Sequence, residues 1–100
     1  MFDFSKIEGF DWDAGNARKS ADKHDVSQAE AEQVFLNQPL LVLMDSKHST
    51  DEPRWHALGV THHGRSLHVT LTLRHLGRKL RVISARDMSR KERDAYQKYG

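Results

Sequence analysis

Arginine is concentrated in the second half of this 100-residue sequence, where its spacing suits an anionic ligand. Arg74 ends one alternating segment, Arg81 lies within the next, and Arg86 follows it. Arg90, Lys91 and Arg93 then crowd the start of a final helix. A guanidinium stays charged and meets two phosphate oxygens with its fork. Cations at a helix start oppose the helix dipole, so an anionic partner explains them better than helix stability does. The same pattern also fits a solvated charged face. Tyr96 adds a phenol nearby and equally fits a core-facing aromatic. Such a basic surface with histidine and tyrosine suits RNA phosphate chemistry. Cleavage through the 2′-hydroxyl needs a proton acceptor, cations on the phosphorane and an acid for the leaving oxygen. Histidine is the usual acid or base, and Tyr or Lys substitutes where neighbouring cations lower its pKa.

Other chemistries find less support. No GxGxxG or GxxxxGK phosphate loop occurs. The absence of cysteine excludes a disulfide framework, a thiol nucleophile and a Cys-based zinc site. Seven histidines invite a metal site, but His62 and His63 are adjacent and no HxxxH pair accompanies them, so no metal or other cofactor is expected. No apolar run is long enough for a membrane span, and Met1–Phe10 lacks the apolar core of a secretory signal, so a cytoplasmic location is expected. The net charge of +2 conceals a division. Residues 1–52 hold 5 basic and 11 acidic residues, a charge of −6, whereas residues 53–100 hold 11 basic and 3 acidic, a charge of +8. That asymmetry favours a polyanion or an acidic protein as partner.

The elements that must position these groups follow from pattern. Asp11 or Asp13 caps a helix running to about Lys23, with Ala14, Ala17 and Ala21 as its apolar stripe. Ser27 and Glu30 form a capping box for a second helix, with Val26 as a staple onto Ala31 and Ala31, Val34 and Phe35 as its buried face; Asn37 and Pro39 end it. Four strands are expected over residues 40–45, 54–60, 66–74 and 79–84, joined by short links that favour an antiparallel meander. In the third, Leu67, Val69, Leu71 and Leu73 alternate with His68, Thr70, Thr72 and Arg74. Ser89 and Glu92 form a second capping box opening the last helix. The expected fold is therefore α+β, one domain over residues 1–100: two N-terminal helices, a four-stranded antiparallel sheet and a C-terminal helix. One sheet face packs on the first two helices, and the other, carrying Thr, His, Arg and Lys, is free to remain open.

Several segments, in order and spacing, resemble the BrnT toxins of type II toxin–antitoxin systems. They are Phe10-Asp11-Trp12-Asp13, Lys23-His24-Asp25-Val26-Ser27, Glu30-Ala31 with Val34-Phe35, Asp45 with His48, and Glu52-Pro53-Arg54-Trp55 leading to Gly59. The most specific is Arg81-Val82-Ile83-Ser84-Ala85-Arg86 followed by Met88-Ser89-Arg90-Lys91-Glu92-Arg93 and Tyr96. The sequence departs from the family at Asp25, where glycine is common, and at Leu71, where Tyr or His often stands. The resemblance implies a RelE-like fold and a translation-blocking ribonuclease. It also implies a BrnA-like ribbon-helix-helix antitoxin in a two-to-two heterotetramer that reaches operator DNA only through the antitoxin. Arg74, Arg81 and Arg86 would hold the scissile phosphate, and Tyr96, His48 and His24 are candidates for proton transfer. Arg54, Arg90, Lys91 and Arg93 would extend the RNA-binding surface. The alternative is a catalytically inactive module that binds the antitoxin and serves operon autoregulation.

Overall fold

The structure, a computed structural model, describes residues 4–12, 25–47 and 52–99. After a 3-10 turn at Phe4–Lys6 come β1 (Gly9–Phe10), α1 (Gln28–Val34), β2 (Leu41–Met44), β3 (Arg54–Val60), β4 (Ser66–Arg74), β5 (Lys79–Asp87) and α2 (Arg90–Tyr99). The helix expected to end near Lys23 lies outside the described residues. The sheet has five strands in the order β1-β5-β4-β3-β2. Strands β2 to β5 form the expected antiparallel meander, but β1 pairs parallel with β5, so the sheet is mixed. Two residues are too few to show an alternating pattern. What fixes β1 is backbone pairing, continued on either side by Glu8 N–H to Arg78 O (2.7 Å) and Asp11 N–H to Leu80 O (2.9 Å).

Both capping boxes form as the residue spacing requires. Ser27 Oγ accepts from Glu30 N, and Glu30 Oε1 accepts from Ser27 N, each at 3.1 Å. At α2, Glu92 N donates to Ser89 Oγ (3.2 Å) and Ser89 N to Glu92 Oε1 (2.8 Å). Asp25, the residue in the glycine position, takes φ 53°, a left-handed conformation that Asp tolerates better than most residues. Arg65 ties this entry to the far end of the sheet. Its guanidinium donates to Asp25 O (2.8 Å), to Glu30 Oε2 (3.1 Å) and, through Nε and Nη2, to both carboxylate oxygens of Asp87 (2.8 and 3.2 Å).

Alternation in β4 divides the sheet into two faces. Leu67, Val69 and Leu71, with Ala57, Leu80, Val82 and Ala85, are buried against Val26, Ala31 and Val34. Phe10, Trp12, Phe35 and Trp55 close this core at its margin, and Trp12 Nε1 donates to Glu32 Oε2 at 2.7 Å. The helix sits close because Gly59 has no side chain: a Cβ there would lie 2.7 Å from Val34 Cγ1 and 3.2 Å from Val34 O. Gly59→Val is therefore expected to overpack the contact and cost about 1–3 kcal/mol, read as a lower urea midpoint at unchanged slope.

The second face is not fully open. Leu41, Leu58 and Val60 at its β2–β3 end need cover, and Met88 and Tyr96 supply it from the start and body of α2. Strand β5 also extends to Asp87, three residues beyond its expected end, through an irregularity. Thr70 faces Ser84 and Leu71 faces Val82, so Ile83 has no counterpart on β4. This bulge reverses the parity of everything after it.

Candidate active site

The consequence of the bulge is a lattice of polar side chains on the second face. Before it, Lys79 and Arg81 lie opposite Arg74 and Thr72; after it, Ser84 and Arg86 lie opposite Thr70 and His68. Were Ile83 paired and alternation unbroken, Arg86 would follow Leu80 and Val82 into the core. On the other side of β4, His56 faces Thr70 and Leu58 faces His68. Two rows result: His56–Thr70–Ser84 and Leu58–His68–Arg86.

His56 is held from both ends. Its Nε2 lies 2.9 Å from Asp45 Oδ2 and its Nδ1 3.2 Å from Thr70 Oγ1. The carboxylate only accepts, so a neutral His56 carries its hydrogen on Nε2 and offers the Nδ1 lone pair to the Thr70 hydroxyl. Asp45 follows β2 directly and is itself fixed: its N–H donates to Arg54 O (2.8 Å) and its Oδ1 accepts from Lys47 N (3.2 Å). The Asp45 side chain is 10% exposed, whereas His56 is 34% exposed and reaches solvent.

The His68 ring lies beside that of His56, with centroids 4.8 Å apart. Its Nε2 is 3.8 Å from Glu92 Oε2, and its Nδ1 is buried without a hydrogen-bond partner among the described residues. Burial, ahead of every charge nearby, pushes the imidazole down to about 4, so it is neutral at pH 7. Glu92 responds in the opposite sense to a common carboxylate burial. Arg86 Nη1 and Nη2 donate to its two oxygens at 2.8 and 2.9 Å, and these bonds above all hold it at about 2. The same pairing, the largest of the causes, raises the Arg86 guanidinium.

These values fix a pH dependence. The unfolded chain protonates His68 near 6.5, but the folded chain resists protonation until about pH 4. Its stabilising contribution is thus complete above pH 6.5 and lost as pH falls to 4, a change on the order of 3 kcal/mol. Glu92 adds a lower window, its contribution present above 4.5 and lost toward 2. Urea midpoints measured between pH 7 and pH 4 should fall steeply, and His68→Phe should flatten that slope. An unchanged slope in the variant would refute the assignment.

A groove of about 340 Å³ opens at this cluster. Leu43, Leu58 and Ala95 line its apolar side, and His56, His68, Glu92 and Lys91 its polar side. A larger hollow of about 590 Å³ between residues 35–40 and Tyr99 brings no histidine, carboxylate or basic side chain together.

The residues singled out by sequence are distributed unevenly around this centre. Arg86 lies within it and Lys91 at the groove. Arg54, Arg81 and Arg74 share the face farther along the strands. Arg81 pairs with Asp11 (3.6 Å) and Arg74 with Glu52 (3.2 Å). Arg90 is exposed at the first position of α2, and Arg93 Nη1 reaches Met88 O at 3.4 Å. Tyr96 is buried beside Leu58 and Met88, donates its hydroxyl to Pro39 O, and is held protonated by burial, which raises its pKa. His24 and His48 lie outside the described residues. Leu71 is fully buried on the opposite face, so the departure there takes nothing from this site.

Asp45, His56 and Glu92 were not singled out as site residues from sequence. Alternation along residues 54–60 was the available signal for His56, since it sets Arg54 and His56 on one side and Trp55 and Ala57 on the other. No curated protein matches the chain. A family model described as "Ribonuclease toxin, BrnT, of type II toxin-antitoxin system" matches residues 12–92, a span that includes every member of the cluster.

Proposed function

The chain belongs to the BrnT family of ribonuclease toxins of type II toxin–antitoxin systems, and from that membership we propose that it cleaves RNA at this cluster by side-chain chemistry alone. The observation that supports this most directly is the His56–Asp45 pair on one sheet face with Arg86. His56 takes the proton of a 2′-hydroxyl through Nδ1 as the Thr70 hydroxyl turns aside. Asp45 holds the ring and stabilises the imidazolium that forms. The 2′-oxygen attacks phosphorus and the bond to the 5′-oxygen breaks, leaving a 2′,3′-cyclic phosphate. The departing oxygen takes up a proton from solvent. Arg86 binds the phosphate oxygens whose charge grows in the transition state, and Arg81, Arg54 and Arg74 continue the cationic face along the strand backbone.

A toxin of this family works against an antitoxin. We propose that a BrnA-like ribbon-helix-helix protein fills that role in a two-to-two assembly, covers this basic face, and carries the complex to operator DNA. No helix among the described residues is long and apolar enough to cross a membrane. The proposed site of action is the cytoplasm, where RNA is encountered.

The test uses the purified chain and an RNA whose cut position carries either ribose or 2′-deoxyribose. Cleavage is expected to persist in EDTA, to yield 2′,3′-cyclic phosphate ends, and to fail at the 2′-deoxy position. Cleavage of the 2′-deoxy substrate, or loss of activity on chelation, would overturn the mechanism. Intact RNA from a chain that binds its antitoxin tightly would favour the inactive binding module.

A further inference from the structure

We propose that the groove beside the paired imidazoles is a nucleobase pocket, and that it selects a base carrying an exocyclic amino group over uracil. The proposal rests on the RNA-cleaving function above and names the part of the substrate that this site reads. Three observations converge on it.

The first is the composition of the groove. Leu43, Leu58 and Ala95 offer an apolar side, while the polar side is made of His56, His68 and Glu92 from the reactive cluster together with Lys91. An unstacked RNA base is recognised in this manner, with its face against apolar or aromatic groups and its edge against hydrogen-bonding groups. The second is position. His56 belongs both to the pair proposed to take the 2′-hydroxyl proton and to the groove wall, so an occupant of the groove is the nucleotide next to the scissile bond. The His68 ring beside it adds a second flat imidazole surface, neutral and deprived of water.

The third is the chemistry of the edge. Glu92 is the carboxylate of the groove and its strongest acceptor. Its oxygens receive the two Arg86 bonds and Ser89 N–H, and a carboxylate offers about four acceptor positions, so capacity for one further donor remains. The Arg86 pairing keeps it ionised, and an ionised carboxylate cannot donate. Adenine, cytosine and guanine each present an amino N–H on the pairing edge. Uracil presents a single N–H between two carbonyl oxygens, so donating it to the carboxylate brings a flanking carbonyl oxygen close to the same charge. At a desolvated site an acceptor facing an acceptor is the stronger discriminator. The 340 Å³ volume falls at the lower end of small-ligand pockets, in keeping with one base and not a long segment.

Binding can be read without turnover. The full chain is titrated with AMP, CMP, GMP, UMP and ribose 5-phosphate while the imidazole signals of His56 and His68 and the backbone amide of Ala95 are followed by NMR. AMP, CMP and GMP are expected to shift all three signals, and UMP to require about tenfold higher concentration. Ribose 5-phosphate should leave Ala95 unmoved. Ala95→Phe, at an exposed helical position, fills the groove and should abolish the response to the nucleotides while its remaining amide spectrum stays folded. Ribose 5-phosphate reproducing the shifts, nucleotides producing none, or Ala95→Phe binding like the parent would overturn the pocket. Equal affinity for UMP would overturn its selectivity. A chain that binds nucleotides in this way yet leaves RNA intact retains the pocket and refutes the nuclease reading; a chain that cleaves RNA without base-dependent binding does the reverse.

Discussion

Arg86→Ala is expected to slow RNA cleavage by about 10²–10³-fold, equivalent to about 2.7–4 kcal/mol of transition-state stabilisation. The magnitude follows from the geometry. Arg86 presents a fork on the face that carries His56, and a fork gains most when charge grows on two phosphate oxygens together. In the free protein Glu92 occupies that fork at 2.8 and 2.9 Å, so a phosphate must share or displace it. Removing Arg86 also strips Glu92 of the chief influence that keeps its pKa at about 2. Arg86→Ala alone therefore mixes a catalytic loss with a structural one. Arg86→Ala combined with Glu92→Gln separates them: the second change removes the stranded charge, so the urea midpoint should recover while cleavage stays low. Arg86→Lys keeps the charge without the fork and should fall between. Parental rates in Arg86→Ala at parental stability would remove Arg86 from the mechanism.

His56→Ala is expected to lower the rate at saturating RNA by about 10²–10⁴-fold, because the imidazole takes the proton of the 2′-hydroxyl in the transition state. Asp45→Asn probes the same proton from its other side. The carboxylate can only accept from His56 Nε2, whereas an amide can turn its NH₂ toward the ring and favour the opposite tautomer, with the hydrogen on Nδ1. A large loss in Asp45→Asn is therefore expected although the substitution is nearly isosteric. Thr70→Val removes the hydroxyl from Nδ1 and should have the smallest effect of the three, since the substrate hydroxyl takes that place. Rates are compared on one RNA at fixed ionic strength, because phosphate binding by a basic face is salt-dependent. Full activity in His56→Ala would sink the assignment of the base.

The local features were the most legible. Ser27 with Glu30 and Ser89 with Glu92 each mark a helix start, and both boxes form because their bonds join residues three apart. Strict alternation over residues 66–74 sets the two faces of the central strand, and β4 spans those same residues. The ordered segments from Trp12 to Glu92 also carried the family, whose model covers that stretch. The second face is covered at one end for an energetic reason that alternation alone does not show. Leu41, Leu58 and Val60 add apolar area there, and the last helix buries it with Met88 and Tyr96.

By itself, then, the sequence determined what nearest-neighbour chemistry can determine: the helix starts, the strand carrying His68, the division of charge and the arginine supply. Tertiary structure decided which of those groups meet. Asp45 and His56 are 11 residues apart and join only because β2 and β3 pair in one register. Arg86 reaches the reactive face only because Ile83 is extra in the ladder, and a two-residue periodicity cannot reveal one inserted residue. Glu92 was legible as a helix cap, yet its second bond set comes from Arg86 across the strand end. Contacts between neighbours in sequence follow from local rules. Contacts across strands depend on register, and register is set by burying a whole face at once.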